Sequence, residues 1–286
     1  MKILILGATG MLGHAIHRTL ASAGYDVAGA IRSAHAPSYS VCAELTYLTN
    51  VDALAFTTVE KALADVAPAV VINALGVIKQ HADAADDWNL IQVNAAFPQR
   101  LQLLCENVGS KLIHFSTDCV FSGKKGNYVE QDIPDGSDWY GVSKYLGEAN
   151  EGNSLTLRTS IIGRGLVPNN SLVDWFLAQE GIVTGYSNAF FSGLPVSEVG
   201  AFLSKYLKNG LLELCGLYHL SVAPISKYDL LCLLKEKWSR DNTTIQFSQD
   251  FVIDRSLDSS RLRERLSYAP DAWPGLVDKM FEFYKD

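Results

Sequence analysis

The sequence contains no run of lysine and arginine, no long apolar stretch and no closely spaced pair of cysteines. Its 286 residues carry 31 Asp and Glu against 24 Lys and Arg, a net charge of −7. An acidic chain without a basic cluster lacks the electrostatic footprint of a protein that binds phosphate backbones. The longest apolar stretch, Pro68–Ile78, is too short to cross a bilayer. These absences predict a protein with neither a nucleic-acid nor a membrane partner.

The residues that could bind a metal or form disulfides also lack a recognisable spacing. The five cysteines are scattered without a Cys-x-x-Cys motif, which indicates reduced thiols. The six histidines show no ligand pattern, and we interpret His14 and His17 as surface residues of the first helix. The chain passes from Ile3–Leu6 directly into glycines, so no secretory leader is predicted. We therefore expect a cytoplasmic protein without a bound metal.

The sequence does contain a regular alternation of strand and helix patterns. Apolar residues at helical spacing separate short apolar runs that are typical of strands buried on both faces. These strand patterns are Ile3–Leu6, Val27–Ile31, Ala69–Ile72 and Lys111–Ser116. Repeated βα units predict an α/β protein with a Rossmann-type, doubly wound parallel sheet.

The second half of the chain is less regular than the first. Helical patterns continue to Trp273–Tyr284, but the strands between them are short after about residue 165. We therefore expect a nucleotide-binding domain over residues 1–165 and a smaller substrate-binding lobe over residues 166–286. No Pro/Gly/Ser linker marks the boundary, which leaves room for shared strands.

Three glycines follow the first strand at the spacing G-x-x-G-x-x-G. Gly7 permits a tight turn, Gly10 lets backbone N–H groups approach a pyrophosphate, and Gly13 lets the helix pack closely on the sheet. The helix that begins here also directs its free N–H groups and positive dipole end to the same point. This context predicts a dinucleotide site. The intervening residues expected to contact the cofactor are Thr9, Met11 and Leu12.

The end of the second strand predicts which dinucleotide binds. NAD sites place a carboxylate there for the ribose 2′-hydroxyl, whereas a cation accommodates a 2′-phosphate. This sequence has Arg32 and Ser33 and no carboxylate at that point. We therefore expect NADP(H) to be preferred, with NAD(H) as the second choice. The alternative for Arg32 is a solvated loop charge.

Thr117, Tyr140 and Lys144 form a pattern with chemical meaning. On a helix, Tyr140 and Lys144 share one face a turn apart. An adjacent ammonium favours the phenolate and brings the pKa of a tyrosine closer to neutrality. Thr117, at the end of a strand, can donate a hydrogen bond to a carbonyl oxygen while Tyr140 supplies a proton. The three residues predict reduction of a carbonyl by a nicotinamide hydride.

The order and separation of these motifs resemble the extended short-chain dehydrogenase/reductases that act on nucleotide sugars. The resemblance includes the glycine loop, Asn73–Gly76, Asn94, Thr117 and the Tyr140/Lys144 pair. Further segments are similar to the dTDP-4-dehydrorhamnose reductase group. These segments are Ser116–Gly123, Tyr128–Glu130, Tyr140–Glu148 and, more weakly, Arg158–Gly163 and Arg255–Asp258.

The resemblance implies a role for several residues. Tyr140 is the proton donor, Lys144 holds the nicotinamide ribose and tunes Tyr140, and Thr117 orients the ketone. Asn94 supports Lys144 through a hydrogen bond or a bound water; the alternative is an asparagine that faces solvent. The residues that line the cofactor, unless they form an ordinary turn, are Ala74, Leu75 and Gly76.

Cys119 departs from the tyrosine that is common in the reductase group. Nucleotide-sugar dehydratases usually have a glutamate at this position for elimination, and a thiol cannot perform that acid-base step as a carboxylate does. The substitution therefore favours simple carbonyl reduction.

The substrate should contact the less regular second half. Gly185–Gly193 combines aromatic and polar residues suited to a sugar and base pocket, and equally to a buried hairpin. From it we select Tyr186 and Asn188, and we add Arg255 as a weaker candidate for the diphosphate. We expect an NADPH-dependent reductase of a nucleotide-linked 4-keto-6-deoxy sugar, as a monomer or homodimer. The alternatives are an epimerase with tightly bound NAD(P) and a non-catalytic dinucleotide sensor.

Overall fold

The computed structural model describes residues 1–35, 45–78, 88–166 and 171–285. The strands are β1 (Lys2–Leu6), β2 (Asp26–Ala30), β3 (Thr46–Leu48), β4 (Val70–Asn73), β5 (Lys111–Thr117), β6 (Ser154–Thr159), β7 (Ile161–Ile162), β8 (Gly181–Tyr186), β9 (Ala189–Phe191), β10 (Leu194–Pro195), β11 (Gly216–His219), β12 (Ile225–Ser226), β13 (Thr243–Ser248) and β14 (Ile253–Asp254). The α-helices are α1 (Met11–Ser22), α2 (Phe56–Val66), α3 (Phe97–Val108), α4 (Trp139–Leu146), α5 (Leu172–Leu177), α6 (Val196–Tyr206), α7 (Lys227–Lys237), α8 (Ser260–Leu266) and α9 (Trp273–Phe283).

Seven strands form one parallel sheet in the order β3-β2-β1-β4-β5-β6-β11. Side chains of β1 alternate between the two faces: Ile3 and Ile5 join the core cluster of α1 and α6, whereas Leu4 and Leu6 join that of α2 and α3. Helices on both faces explain why the strand sequences are almost entirely apolar. The predicted fold class, a doubly wound Rossmann-type sheet with a smaller lobe, is confirmed.

The second half of the chain contributes the outer strand of this sheet. β11 pairs in parallel with β6, from Gly216 opposite Leu155 to His219 opposite Arg158. The remaining strands form small sheets: β7 with β10, β8 with β13, and β9 between β12 and β14. The division of the chain at residue 165 stays a prediction.

Two expectations about the first helices need correction. His14 and His17 are buried rather than on the surface, and the His17 ring faces the sheet, because a Cβ on Gly29 of β2 would lie only 2.7 Å from its Nδ1. The ring of His17 packs edge-on against that of Tyr47, with 5.1 Å between centroids. The long helix expected at Trp88–Asn107 is divided: Ile91–Ala96 is π-helical and α3 follows it.

The helices, cysteines and potential metal ligands of the described residues show three further features. In the described ranges no helix is both long and apolar enough to cross a membrane. The four cysteines within those ranges are free, although Cys105 is buried, Cys215 is exposed and the other two are half-buried; Cys42 lies outside the described residues. No group of three or more potential His, Cys, Asp or Glu metal ligands occurs in the part of the chain that the structure describes.

Candidate active site

The glycine loop connects β1 to α1 and forms one wall of a cavity of about 480 Å³. Gly7 adopts a φ of +84°, which favours glycine, and a Cβ on Gly13 would collide with the Gly7 carbonyl oxygen. Gly10 is the N-cap of α1, and the first turn contains no acidic residue. The N–H groups of this turn therefore remain suited to a pyrophosphate.

Half of the predicted cofactor residues line this cavity, and Asn94, Tyr140 and Lys144 are among those that do not. Those that do are Gly7, Thr9, Gly10, Arg32, Ala74, Leu75 and Gly76. Leu12 instead packs in the core behind the loop, and Gly13 provides the close contact between helix and strand. Ser33 accepts a hydrogen bond from the backbone N–H of His35 and is not in the lining. Met11 is absent from the lining too and packs against the core around α1.

A carboxylate that the sequence analysis missed lies at the mouth of the cavity. Asp52 follows β3 and lines the same cavity as the exposed Arg32. Its Oδ1 accepts a hydrogen bond from the backbone N–H of Leu54 at 3.0 Å. The available signal was a polar residue after β3, the strand next to β2 at the same edge of the sheet. The glycine cradle and the helix N-terminus fit a dinucleotide, and the cavity contains both a cation, Arg32, and a carboxylate, Asp52.

The structure brings Thr117 and Tyr140 together at the carboxyl end of β5. A Cβ on Gly141 would collide with the carbonyl oxygen of Cys119, so glycine lets the start of α4 approach the turn after Thr117. Asp138 caps α4 by accepting a hydrogen bond from the Gly141 N–H at 2.8 Å. A hydrogen bond between the Tyr140 and Thr117 side chains contributes to the electrostatics of the phenol.

Burial dominates the protonation of Tyr140 and Lys144. It raises the pKa of Tyr140, and the charges of Cys119 and Asp118 add to this effect, whereas the Thr117 hydrogen bond opposes it. The shift is opposite to the one expected from an adjacent ammonium. Burial also lowers the pKa of Lys144 to about 8, and Glu148 opposes that change. Lys144 Nζ donates a hydrogen bond to the Phe115 carbonyl oxygen at 2.6 Å.

Asn94 is fully buried in the π-helical segment and does not face solvent. Its side chain accepts from the Val77 N–H at 2.9 Å and donates to the Val77 carbonyl oxygen at 2.8 Å. It also donates to the Ser143 hydroxyl at 3.2 Å. Among the described residues no direct hydrogen bond joins Asn94 to Lys144, and its support of Lys144 through a bound water stays a prediction; Asn94 joins the loop after β4 to α4. π-Helical turns of this kind frequently occur at functional sites.

Arg255 lies beside Cys119, close to Thr117, and its guanidinium is bonded to the protein; its contact with a substrate diphosphate stays a prediction. Nε donates to the Phe121 carbonyl oxygen at 2.8 Å, and Nη1 lies 3.4 Å from Cys119 Sγ. Nη2 is 3.8 Å from the carboxylate of Asp138, the cap of α4. Arg255 thus connects the turn after β5 to the helix that carries Tyr140.

Lys227 and Asp118 are two further charged residues of this region that the sequence analysis missed. Asp118 is buried and accepts a hydrogen bond from the Thr117 hydroxyl at 3.2 Å. Burial raises the pKa of this carboxyl, and the Arg255 charge opposes the rise. Burial lowers the pKa of Lys227 at the start of α7, and the charge of Asp118 opposes that change. The lobe therefore adds a second cation close to Thr117, but Lys227 offers no motif from which this position could be predicted.

Segments that carried the family resemblance meet in a buried network next to the site. Glu148 and Arg158 form a bidentate ion pair, with contacts of 2.6 and 2.8 Å. Ser116 donates to Glu148 at 2.8 Å, and the Arg158 guanidinium lies over the ring of Phe121. The pair fixes β5, β6 and the residues after α4 relative to one another.

Tyr186 and Asn188 have different surroundings from those expected of a pocket beside Thr117. The ring of Tyr186 packs on Phe251 with 5.5 Å between centroids, and Asn188 accepts a backbone hydrogen bond from Ile253. Phe191, from the same segment, packs against Trp273 in the core. No contact given for the described residues joins Tyr186 or Asn188 to the catalytic residues, and their role in substrate binding stays a prediction.

Comparison with known proteins places this arrangement in a family. A family model described as the RmlD substrate binding domain matches residues 1–184, more than half of the chain. The chain belongs to this family. The resemblance to dTDP-4-dehydrorhamnose reductases within the extended short-chain dehydrogenase/reductases is confirmed, because the dTDP-4-dehydrorhamnose reductase of Burkholderia thailandensis is 34% identical over 165 residues, 56% of this chain and 50% of that protein.

Two further similarities of this RmlD-family chain extend over nearly all its length. The methionine adenosyltransferase 2 subunit beta of Bos taurus is 23% identical over 97% of this chain and 89% of its own. The crystal structure of dTDP-4-dehydrorhamnose reductase from Bacillus anthracis in complex with NADP has a TM-score of 0.80 at 19% identity, and covers 99% of both chains. The second likeness supports the fold of the entire chain, including the lobe that the family model does not reach.

Proposed function

We propose that this protein is an NADPH-dependent oxidoreductase that reduces the keto group of a nucleotide-linked 4-keto-6-deoxy sugar. One observation carries the proposal: the Thr117 and Tyr140 side chains are hydrogen-bonded at the end of β5, Lys144 is bonded to Phe115 of the same strand, and the glycine-lined cavity follows β1 at the same edge of the sheet. Ligands of doubly wound sheets bind at this carboxyl edge. The similarity to the Burkholderia reductase supports the substrate class, and the NADP complex of the Bacillus reductase supports the cofactor.

The protonation states suit reduction. Because burial raises the pKa of Tyr140, the phenol keeps its proton at neutral pH and can donate it to a developing alkoxide. Thr117 orients the carbonyl oxygen, and Lys144, with a pKa of about 8, is mainly an ammonium at pH 7 that can hold a ribose hydroxyl. When bound, NADPH supplies the hydride. Cys119 provides no carboxylate for elimination, which favours reduction over dehydration.

The substrate diphosphate requires local cations, because the net charge of −7 does not attract it. Lys227 and Arg255 place two cations at the substrate side of Thr117. We propose that Lys227 contributes more of the binding energy, since Arg255 uses its donors on Phe121 and Cys119. A cytoplasmic location and a monomeric or homodimeric state remain predictions of the sequence.

The decisive experiment follows NADPH oxidation with a panel of nucleotide-linked 4-keto sugars. At least one should be turned over, and Tyr140→Phe should reduce kcat by about 100-fold or more, since the variant lacks the proton donor. Binding of NADPH by the variant, followed by nucleotide fluorescence, is the control for folding. Absence of turnover with every sugar, or unchanged turnover in Tyr140→Phe, would overturn the proposal.

A second candidate function has a specific observation in its favour. The methionine adenosyltransferase 2 subunit beta of Bos taurus matches 97% of this chain, whereas the similarity to the Burkholderia reductase covers 56%. The protein could accordingly bind a dinucleotide as a subunit of another enzyme. Co-sedimentation with a purified methionine adenosyltransferase catalytic chain, combined with a lack of turnover in the sugar panel, would select this candidate.

A further inference from the structure

A buried histidine that the proposed reaction does not use is hydrogen-bonded to Asn73 at the end of β4. The loop that follows, Ala74–Val77, lines the cavity and is called the cofactor loop below. His114 is fully buried in β5. Side chains alternate along a strand, so His114 points to the same face as Leu112 and Ser116, the face from which Ser116 reaches Glu148. Its Nε2 has no hydrogen-bond partner among the described residues. The hydrogen-bond partner at Nδ1, Asn73, therefore determines which of the two ring nitrogens carries the proton.

Two consecutive hydrogen bonds determine the tautomer of His114. The backbone N–H of Leu75 donates to Asn73 Oδ1 at 3.2 Å. An N–H group can only donate, so the amide oxygen of Asn73 must face Leu75 and its NH₂ group must face His114. The distance from Asn73 Nδ2 to His114 Nδ1 is 3.0 Å. Nδ1 is therefore an acceptor, and the proton of the neutral ring lies on Nε2.

The charges around His114 keep the ring neutral. Burial and the Lys144 ammonium hold the pKa of His114 well below its usual value. Lys144 itself donates to the carbonyl oxygen of the next residue, Phe115, at 2.6 Å. The other charged group that acts on Lys144 is Glu148, whose carboxylate is paired with Arg158. A protonated His114 would place a second cation beside Lys144 without a carboxylate to balance it.

We propose that His114 is a positioning residue that couples the cofactor loop to Lys144. Its tautomer is set by the backbone of Leu75 through Asn73, and the neutral ring keeps a second positive charge away from the Lys144 ammonium. Because Leu75 lines the cavity whereas His114 does not, Asn73 provides a route by which a ligand that contacts Leu75 can act on the ring. The inference rests on the proposed function for the binding of NADPH and for the use of Lys144 in the reaction, but not for the sugar substrate.

A second buried histidine provides an internal reference. His219 Nδ1 lies 3.1 Å from the Tyr128 carbonyl oxygen and 3.2 Å from that of Asp258. Carbonyl oxygens only accept, so this ring must carry its proton on Nδ1. Its Nε2 faces a guanidinium nitrogen of Arg158 at 3.4 Å, which is a donor. The two buried rings should therefore be opposite tautomers in one spectrum.

The test is nitrogen NMR of the full chain with ¹⁵N-labelled histidine at pH 7. His114 and His219 are assigned by the signals that disappear in His114→Gln and His219→Gln. We expect His114 to be protonated on Nε2 and His219 on Nδ1 before any ligand is added. Addition of NADPH should shift the His114 signals and leave those of His219 unchanged. A proton on Nδ1 of His114, or NADPH shifts of equal size in both rings, would overturn the inference.

Two substitutions of His114 distinguish a role in positioning its neighbours from a role in packing alone. His114→Gln retains an acceptor and a donor in its amide, whereas His114→Leu removes both. We expect the dissociation constant for NADPH to rise about fivefold in His114→Leu, the equivalent of one net hydrogen bond, and to change less than twofold in His114→Gln. Equal affinity in the two variants would contradict a positioning role, even if His114→Leu unfolds at a lower temperature. Neither measurement needs a sugar substrate, so both remain informative if the proposed reductase activity is absent.

Discussion

The two sides of the cleft are assembled from the chain in different ways. The proposed cofactor side is lined by residues between Leu6 and Val93, and backbone groups of the glycine loop and of the α1 N-terminus are available there to a pyrophosphate. The proposed substrate side combines Thr117, Tyr140, Lys227 and Arg255, which are distant in sequence; hydrogen bonds of the side chains hold Thr117, Tyr140 and Arg255, and Lys227 interacts with the charge of Asp118.

This difference has a consequence for substitutions. A backbone-built wall tolerates most changes of side chain but not a change at a glycine that closes the contact between helix and strand. A wall built from buried polar side chains depends on each partner, because a buried charge left without its counter-ion is costly. The predictions below separate these two kinds of sensitivity.

The largest effect should come from breaking the ion pair on the substrate side. Glu148→Ala leaves the Arg158 guanidinium buried without a counter-ion and should lower the free energy of unfolding by about 3–5 kcal/mol. Chemical denaturation of the purified variant measures this loss. The double variant Glu148→Leu/Arg158→Met removes both charges and should recover most of the stability. A loss below about 1 kcal/mol in Glu148→Ala would show that this side is not held by its side-chain network.

The second largest effect should be a change in the free energy of unfolding with pH, caused by Lys144. The pKa of Lys144 falls from 10.5 to about 8 on folding, so between these values the unfolded chain binds the additional proton. The free energy of unfolding should therefore rise from pH 8 towards pH 10, with about 3 kcal/mol as the upper limit from this group. The comparison is denaturation of the wild type and Lys144→Met across that range. Parallel curves for the two proteins would contradict the assigned shift.

On the cofactor side, glycine should matter more than any lining side chain. Gly13→Ala places a methyl group against the Gly7 carbonyl oxygen and should cost about 1–3 kcal/mol of stability, together with NADPH affinity. Gly10→Ala is the matched control, since its Cβ would lie 3.4 Å from the same oxygen, an ordinary contact. It should fold like the wild type. If Gly13→Ala and Gly10→Ala melt at the same temperature, the close contact does not limit the fold.

The smallest effect should be the preference between NADPH and NADH. Arg32→Ala removes an exposed cation from the cavity mouth and should weaken NADPH binding about tenfold while NADH is unaffected. Ser33→Ala, which lies outside the lining, is the control and should stay within about twofold for both. Fluorescence titration gives the four dissociation constants. A wild type that already binds NADH more tightly would remove the proposed role of Arg32 and direct attention to Asp52.

Local sequence patterns predicted the cofactor side well because its contacts are consecutive in the chain. The strands β1, β2, β4 and β5, the glycine loop and the loop after β4 occur where periodicity and glycine spacing indicate them, whereas the short strand β3 was not predicted. The burial of His17 could not be predicted from the pattern of α1 alone, because it depends on how the helix packs on Gly29 of β2 and Tyr47 of β3. The π-helical segment around Asn94 was also missed, since its sequence has an ordinary helical pattern.

The substrate side was only partly predictable, for the same physical reason. Arg255 was selected and lies at the site, yet its bonds to Phe121 and Cys119 depend on tertiary packing. Lys227 begins an ordinary helix whose sequence contains no sign of Asp118 nearby. Isolated residues that meet through long-range contacts leave no local pattern, so Tyr186 and Asn188 were chosen by composition alone.

The pairing of β11 with β6 has a consequence for how the protein is made. β6 is buried along its entire length, but its outer neighbour begins only at Gly216. While the ribosome is still adding α5 and α6, the backbone groups of that edge have no partner, and such an edge can recruit a strand from another chain. A gene fragment that ends at residue 165 lacks β11 and should therefore aggregate when it is expressed.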